Sequence, residues 1–423
     1  MTIYVVQSGD TLQSIATRYG VSPERIARDN MLQNPDQLVV GQALVILIPN
    51  KSITVREGET LFSIARANQT SVNQLMRDNP VLGGKSEVYP GQTLVLSYEQ
   101  EREGSMAVNG YAYPFIDRDI LRQTLPYLTF ITIFTYGFQP DGTLIEADDK
   151  EILSIIRDYP AKPLLLLSTL TDEGVFSNEL SHALLSDPSA QRTLTANLLN
   201  TLRAKGYSGV DVDFEYIYPE DRDAYTAFIA SLTSVLNSEG YSVAVSLAPK
   251  TSADQPGLLY EAHDYSALGE AANVLLIMTY EWGYSFGPPM AVSPLNKVRE
   301  VIEFAVSQIP SEKIMMGMPN YGYDWKLPFI SGESRAESLS NQEAVRRAGE
   351  NQAAISYDET AQSPFYHYFK DENEHVVWFE DARSVQAQSR LVGEYGLKGI
   401  SVWNIMRYFP QLWLVLNALY RIE

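Results

Sequence analysis

Residues 206–216 read Gly-Tyr-Ser-Gly-Val-Asp-Val-Asp-Phe-Glu-Tyr. In an extended strand successive side chains point to opposite faces, so Asp211, Asp213 and Glu215 share one face and the apolar residues between them share the other. Like charges placed side by side on a strand are unfavourable. Such a strand is typical of a catalytic carboxylate whose proton affinity is tuned by its neighbours. The alternative is a solvated edge strand, which the apolar alternate positions disfavour.

Seven other apolar runs accompany this one after residue 104, and helical segments separate them. This alternation is typical of parallel strands covered by helices, and eight runs fit a (β/α)8 TIM barrel, an α/β fold. An open doubly wound sheet is the alternative, but no Gly-x-Gly-x-x-Gly turn follows the first run. The runs are 107–114, 128–138, 163–170, 209–216, 242–249, 274–282, 313–321 and 399–406.

Polar and aromatic residues cluster where these runs end. In a TIM barrel the active site lies at the carboxyl ends of the strands. A pocket rimmed by aromatic rings and carboxylates suits a sugar, since the rings stack on its apolar faces and polar groups bind its hydroxyls. Besides the acidic trio, the candidate site residues are Tyr111, Tyr136, Tyr280, Glu281, Asn320, Tyr321 and Trp403.

The first hundred residues contain a repeat. The run 6–16 recurs at 55–65, and Arg28-Asp29-Asn30 recurs as Arg77-Asp78-Asn79. Each copy reads strand, helix, helix, strand. Both copies resemble the LysM domain, a βααβ module that binds N-acetylglucosamine polymers, and share its Gly-Asp/Glu-Thr-Leu-x-x-Ile-Ala signature. We place the first module at 1–49, the second at 50–98 and the barrel at 105–423.

The LysM resemblance implies a shallow sugar groove in each module, between residues 8–12 and 36–41 and between 57–61 and 87–91. Two grooves in tandem raise the apparent affinity for a repeating polymer. Repeats that act only as spacers are the alternative. The candidate sugar contacts are Gly9, Asp10, Thr11, Gly58, Glu59 and Thr60.

Composition excludes several classes of partner. Residues 1–98 carry eight basic and eight acidic side chains, so the net charge of −20 arises after residue 98. An acidic C-terminal part argues against nucleic acid and anionic lipid as partners, and no apolar run is long enough to span a membrane. The chain has no cysteine, and its four histidines show no ligand spacing, so we predict neither metal nor cofactor. Nothing in the sequence indicates the oligomeric state.

The acidic run resembles the strand-4 signature of family 18 glycoside hydrolases, Asp-x-x-Asp-x-Asp-x-Glu. The runs 278–281, 317–322 and 399–403 resemble further pieces of that family in its order, and 325–379 resembles a short form of its insertion between strand 7 and helix 7. Two positions depart from the pattern. Ser208 replaces the first Asp, and Glu281 replaces the Asp that follows the strand-6 tyrosine. Neither change removes the acid at Glu215, which a catalytically inactive lectin of this fold would lack.

The family resemblance implies a role for each site residue. Glu215 would protonate the leaving oxygen, and its two acidic neighbours on the strand would raise its proton affinity. Asp213 would orient the substrate's acetamido group, and Asp211 would support Asp213. That acetamido group would act as the nucleophile through an oxazolinium intermediate, with retention of configuration. Tyr280 would donate to the acetamido oxygen, and Trp403 would form the floor of the site.

The combination of two N-terminal LysM copies, no cysteine and the run Met-Thr-Tyr-Glu-Trp-Gly-Tyr at 278–284 resembles the spore-germination glucosaminidases of endospore-forming bacteria, which digest cortex peptidoglycan. The N-terminus lacks the pattern of a secretory signal, which favours a spore protein made in the mother cell. A chitinase is the first alternative, and a sugar-binding lectin is the second. The modular interpretation also predicts that residues 105–423 act on soluble fragments without the modules.

Overall fold

A computed structural model of the protein describes residues 1–171 and 174–423. Each N-terminal module has two antiparallel strands with two helices between them, which confirms the predicted βααβ order. Separate small apolar cores lie under the two pairs of helices. The elements are β1 Thr2–Val5, α1 Leu12–Tyr19, α2 Pro23–Asp29, β2 Ala43–Ile46, β3 Pro49–Thr54, α3 Leu61–Ala67, α4 Val72–Asp78 and β4 Thr93–Tyr98.

The repeated asparagine ties the second helix of each module to its last strand. Asn30 Nδ2 donates to the carbonyls of Ile26 and Val45, both at 2.9 Å, and Oδ1 accepts from Val45 N at 2.7 Å. Asn79 makes the same pair of bonds with Val95 at 2.8 Å. Buried backbone groups need such partners, so this part of the repeat is explained by a hydrogen-bond network.

The strands after the modules are β5 Gly104–Ala112, β6 Phe130–Phe138, β7 Leu144–Ile145, β8 Lys162–Ser168, β9 Gly209–Asp213, β10 Ser242–Leu247, β11 Val274–Ile277, β12 Ile314–Pro319, β13 Gly322–Lys326, β14 Glu337–Leu339, β15 Ser356–Asp358, β16 Ser363–Lys370, β17 Asn373–Trp378, β18 Gly399–Trp403 and β19 Tyr420–Ile422. Eight of them are parallel and close into a barrel in the order β5, β6, β8, β9, β10, β11, β12, β18 and back to β5. The predicted TIM barrel is therefore confirmed.

Helices cover the outside of the barrel. None of the described helices is long and apolar enough to cross a membrane. The helices after the modules are α5 Arg118–Thr124, α6 Lys150–Ile156, α7 Asn178–Ser186, α8 Pro188–Lys205, α9 Arg222–Ser238, α10 Tyr265–Ala271, α11 Leu295–Gln308, α12 Asn341–Glu350, α13 Ala382–Tyr395 and α14 Pro410–Leu419.

Strand β9 has the two faces that its sequence predicts. Val210, Val212 and Phe214 are fully buried in the apolar layer between strands and helices. Asp211 and Asp213, on the opposite face, are also buried. Because β9 pairs with β8 on one side and β10 on the other, the edge-strand alternative is wrong.

An insertion follows the seventh barrel strand, β12. It forms an antiparallel sheet in the order β14, β13, β17, β16, β15, with α12 between β14 and β15. The chain then enters α13, so the insertion lies between strand 7 and helix 7 as predicted. Its first strand, β13, begins at Gly322, three residues before the predicted start.

The modules dock on the C-terminal helix of the barrel. Every residue of α14 is buried. Gln411 donates to Asn30 Oδ1 in the first module at 3.1 Å, and Asn417 donates to Asp78 in the second at 2.9 Å. Arg77 donates to the Pro126 carbonyl at 2.5 Å and to the last strand. The two modules are therefore packed against the barrel as well as connected to it.

Candidate active site

The acidic trio lies at the carboxyl end of β9, inside the barrel. Asp211 is fully buried and Asp213 is 6% exposed. Glu215, just beyond the last residue of β9, is half-buried. The trio therefore runs from the closed interior of the barrel to the opening where a substrate enters, and Glu215 is its outermost member.

Asp211 is held by two hydroxyl groups. Tyr111 donates to Oδ2 at 2.8 Å, and Ser246 donates to Oδ1 at 3.3 Å. Burial raises the pKa of Asp211 to about 7, although both hydroxyls act in the opposite direction. The structure thus places Tyr111, itself 4% exposed, beneath the site as a support for Asp211. Ser246 was not predicted, but it occupies an inward position of β10, where a polar residue among apolar ones could have signalled it.

Asp213 and Glu215 compete for protons. Burial, followed by the charges of Glu215 and Asp211, raises the pKa of Asp213 well above its ordinary value. Burial and then Glu281 raise the pKa of Glu215 to about 7. Adjacent buried carboxyls cannot all ionise, so this group retains a proton near neutral pH. The sequence predicts that the strand neighbours raise the pKa of Glu215, whereas in the structure the causes are burial and the charge of Glu281.

Tyr280 reaches the acidic group from the segment after β11 and is half-buried. Burial, followed by the charges of Asp213 and Glu215, raises the pKa of Tyr280 well above the ordinary value. The ring fits because Gly317 has no side chain: a Cβ there would lie 2.7 Å from Tyr280 Cε1. A neutral phenol at this point can donate a hydrogen bond to a bound ligand.

Glu281 stands at the mouth of the site with a left-handed backbone, φ 66°. Its carboxylate accepts from Tyr321 at 2.6 Å and from Tyr323 at 3.0 Å. Tyr323 belongs to the insertion and was not predicted, because β13 begins before the stretch assigned to the insertion. Glu281 therefore links the barrel opening to the insertion sheet.

Replacing Glu281 should move the alkaline limit of activity. If Glu215 acts as an acid, activity falls as the pH rises through its pKa of about 7. Glu281→Gln removes a negative charge that raises this pKa, so the limit should move to lower pH by on the order of one unit. The measurement is kcat/KM from about pH 5 to 9, where its limbs report the free enzyme's groups.

The exposed Glu270 at the end of α10 is the matched control. Glu270→Gln removes the same charge from the outer helix layer and should leave the pH profile unchanged. An unchanged profile in Glu281→Gln would show that Glu281 does not influence the acid.

Trp403 closes the base of the opening. Its ring lies 5.4 Å from that of Tyr111 and 5.2 Å from that of Phe134. It contacts both the apolar residues inside the barrel and those of the insertion. The aromatic surface continues outward through Tyr113 to Phe115, which is 74% exposed. An exposed aromatic strip leading to buried carboxyls suits a chain of sugar rings.

One predicted site residue lies elsewhere, and another supports a loop beside the site. Tyr136 is fully buried in the layer outside the barrel, where its hydroxyl contacts Asp149 and Lys205. A register irregularity between Ile133 and Tyr136 turns the side chain away from the interior, so the predicted sugar contact of Tyr136 is wrong. Asn320 directly follows β12, and its Nδ2 donates to two carbonyls of the loop after β18. It therefore supports that loop, and its contact with a sugar stays a prediction.

The predicted sugar contacts of the modules all have local structural roles. Gly9 and Gly58 have φ of 85° and 80°, which a turn into the first helix requires. Thr11 and Thr60 cap α1 and α3 in capping boxes. In each turn the acidic residue, Asp10 or Glu59, accepts a backbone amide at 2.8 or 2.7 Å. These residues therefore shape the turn, and their contact with a sugar stays a prediction.

The site is made of carboxyls, phenols and an indole. Within residues 1–171 and 174–423, no group of three histidine, aspartate or glutamate side chains is arranged to hold a metal ion. The chemistry that the described side chains support is transfer of a proton from a half-buried acid, next to a hydrogen-bond donor and an aromatic floor.

Comparison with known proteins agrees with this geometry. The sequence profile of glycosyl hydrolases family 18 matches residues 171–407, and that of the LysM domain matches residues 4–47 and 53–97. The cortical fragment-lytic enzyme of Bacillus subtilis (strain 168) is 40% identical, over 100% of this chain and 99% of that protein.

Solved structures show the same likeness. The spore cortex-lytic enzyme SleL of Bacillus megaterium QM B1551 has a TM-score of 0.85 and 37% identity, over 100% of this chain and 98% of that one. A chitinase from Chromobacterium violaceum has a TM-score of 0.69 and 26% identity, over 74% of this chain and 98% of that one. The match to SleL thus includes the modules, whereas the chitinase matches a smaller part of the chain.

Proposed function

Because the chain belongs to glycosyl hydrolases family 18 and carries two LysM domains, we propose that it is a retaining β-N-acetylglucosaminidase of spore cortex peptidoglycan. The observation that carries the choice of substrate is the similarity, along both modules and the barrel, to a cortical fragment-lytic enzyme. We further propose that the protein acts in the spore during germination, and that its modules hold the polymer.

In the proposed reaction Glu215 is the acid. With a pKa of about 7, it keeps a proton for much of the time at neutral pH and can donate it to the glycosidic oxygen as the bond to the anomeric carbon breaks. The resulting carboxylate then accepts a proton from the water that completes hydrolysis. One residue therefore serves as acid and then as base.

The nucleophile in this proposal is the substrate's own acetamido oxygen. It attacks the anomeric carbon and forms an oxazolinium ion, which water opens with net retention of configuration. Asp213 would bond to the acetamido N–H and stabilise the positive charge, since its Oδ1 is buried without a partner among the described residues. Asp211, held by Tyr111 and Ser246, would take up the proton that Asp213 releases. Tyr280 would donate to the acetamido group, and Trp403 would stack beneath the ring.

Chitin contains the same acetamido sugar and is the alternative substrate. The similarity to SleL covers the entire chain, whereas that to the chitinase covers 74% of it. Because both modules fall within the longer match, the cortex polymer is favoured over chitin.

Analysis of digestion products tests the proposal. Purified spore cortex peptidoglycan treated with the protein should release fragments whose new reducing ends are N-acetylglucosamine, identified by mass spectrometry after borohydride reduction. New reducing ends on N-acetylmuramic acid would contradict the proposed bond. Turnover of chitin, with none of cortex material, would favour the alternative.

A further inference from the structure

The two modules differ at the loop before their last strand. In the first module the glycine of this loop touches the insertion: a Cβ at Gly41 would lie 1.9 Å from the Ile355 carbonyl oxygen, and Ile355 N donates to the Val40 carbonyl at 2.9 Å. The equivalent Gly91 of the second module has no described atom within 4 Å of a Cβ. The groove loop of the first module is thus joined to the catalytic part, whereas that of the second is open.

A cavity of about 410 Å³ lies at this junction, a size within the range of small-ligand sites. One wall comes from residues 30–43 of the first module, and the other from α12 and the segments near Phe379 and Phe409. Its apolar lining includes Val39, whose side chain is buried with Ile355 and Phe379. Neither the module nor the insertion forms this cavity alone.

Carboxamide side chains are the most frequent polar groups in the lining. Each carboxamide offers donors as well as acceptors, as the hydroxyl and acetamido groups of an N-acetylated sugar require. The apolar surface of Val345, Ile355 and Phe379 can pack against the methyl group or a ring face. The lining carboxamides include Asn34, Gln37 and Gln42 from the first module and Asn341 and Gln342 from α12, whereas Gln411 is already bonded to Asn30 and Ala43.

The charged groups of the lining are neutralised within the protein. Arg346 bonds to Glu343 and Glu350, and Asp381 bonds to Arg383 at 2.6 Å. Burial raises the pKa of Glu380 to about 8, so its carboxyl is mostly uncharged at neutral pH. With no unbalanced charge in this lining, an anionic ligand is disfavoured.

Two buried polar groups of the lining still lack partners. Asn341 Nδ2 and Glu380 Oε1 have no hydrogen bond to any described residue, although the side chains are only 2% and 1% exposed. Burying a polar group without a hydrogen-bond partner is unfavourable. A polar ligand or a water that it orders would relieve this cost.

We propose that this junction is a binding site for an uncharged N-acetylhexosamine residue, formed by the first module together with the insertion. The proposal rests on the proposed function, because the sugar would belong to the polymer that the enzyme cleaves. A sugar bound here contacts both parts of the protein and so fixes the polymer relative to the barrel. The second module, with its open loop, would bind the polymer independently.

Titration calorimetry with chitotetraose tests the site in a Glu215→Gln background, which prevents turnover. Adding Val345→Trp fills the cavity and should remove one bound chitotetraose per chain. Adding Lys370→Trp, at an exposed position of the same insertion sheet, should remove none. An unchanged stoichiometry with Val345→Trp would overturn the proposal.

If Val345→Trp does not fold, as judged by circular dichroism, the paired change Asn34→Ala and Gln342→Ala replaces it. That variant should weaken one binding event by about tenfold, and equal binding would again overturn the proposal. Failure here is distinguishable from failure of the proposed function. Cortex digestion by the protein with Glu215 intact reports the function alone, whatever the calorimetry shows.

Discussion

Glu215→Gln should lower the rate of release of reducing ends from cortex peptidoglycan by roughly 10²- to 10⁴-fold, the usual contribution of a general acid. Glutamine keeps the shape of the side chain but cannot give up a proton to the leaving oxygen. The fold should be preserved, because Glu215 is half-buried at the end of β9 and outside its strand ladder. Initial rates of reducing-end formation measure the effect.

The exposed Glu220 provides the control for this substitution. It lies in the same loop after β9 but is not part of the acidic trio, so Glu220→Gln should retain full activity. If Glu215→Gln turns over substrate at a rate close to that of the unmodified protein, Glu215 is not the acid. An equal loss in both variants would mean that the loop, and not the acid, is the sensitive feature.

Deleting residues 1–98 should destabilise the barrel. All of α14 is buried in the intact protein, and both modules contact it. Exposing a buried leucine-sized side chain costs about 1.5–3 kcal/mol, so uncovering this surface should lower the free energy of unfolding by roughly 5 kcal/mol or more. Thermal and chemical denaturation of residues 99–423 measure the loss. The docking therefore disfavours the modular prediction that residues 105–423 act alone.

A point substitution tests the same docking without truncation. Arg77→Met leaves the carbonyls of Pro126 and Ile422 without their buried donor and should cost about 2–4 kcal/mol. Arg66, exposed on the same module, is the matched control, and Arg66→Met should be neutral. Full stability of both the truncated protein and Arg77→Met would show that the modules are only tethered.

The barrel and the acidic trio could be predicted because they depend on the spacing of apolar residues within each strand and on the order of strands and helices along the chain. Alternation along β9 was sufficient to place Asp211 and Asp213 inside the barrel and Phe214 outside. Tyr136 was misplaced because a register irregularity in β6 reverses which residues face inward, and nothing in the local sequence marks it. Tyr323 was missed because β13 begins three residues before the stretch assigned to the insertion. Its contact with Glu281 joins β13 to the segment after β11, and only the folded insertion brings these two segments together.

The docking of the modules on the barrel could not be predicted either, because it also depends on contacts between segments that are distant in the sequence. Arg77 belongs to a repeated Arg-Asp-Asn triplet, and Arg28 is the equivalent residue of the first module. The Arg28 side chain is 44% exposed, whereas Arg77 is 6% exposed. Equivalent positions of a repeat therefore serve different purposes, and the sequence carries no mark of which copy is covered.

The central claim is that the substrate's acetamido group attacks while Glu215 donates its proton. Time-resolved proton NMR of soluble cortex fragments tests it by recording the anomeric signal of the first product before mutarotation. Substrate-assisted cleavage of a β-linkage predicts that the β-anomer appears first and the α-anomer grows in later. Initial appearance of the α-anomer would mean direct attack by water and would contradict the roles proposed for Asp213 and Tyr280.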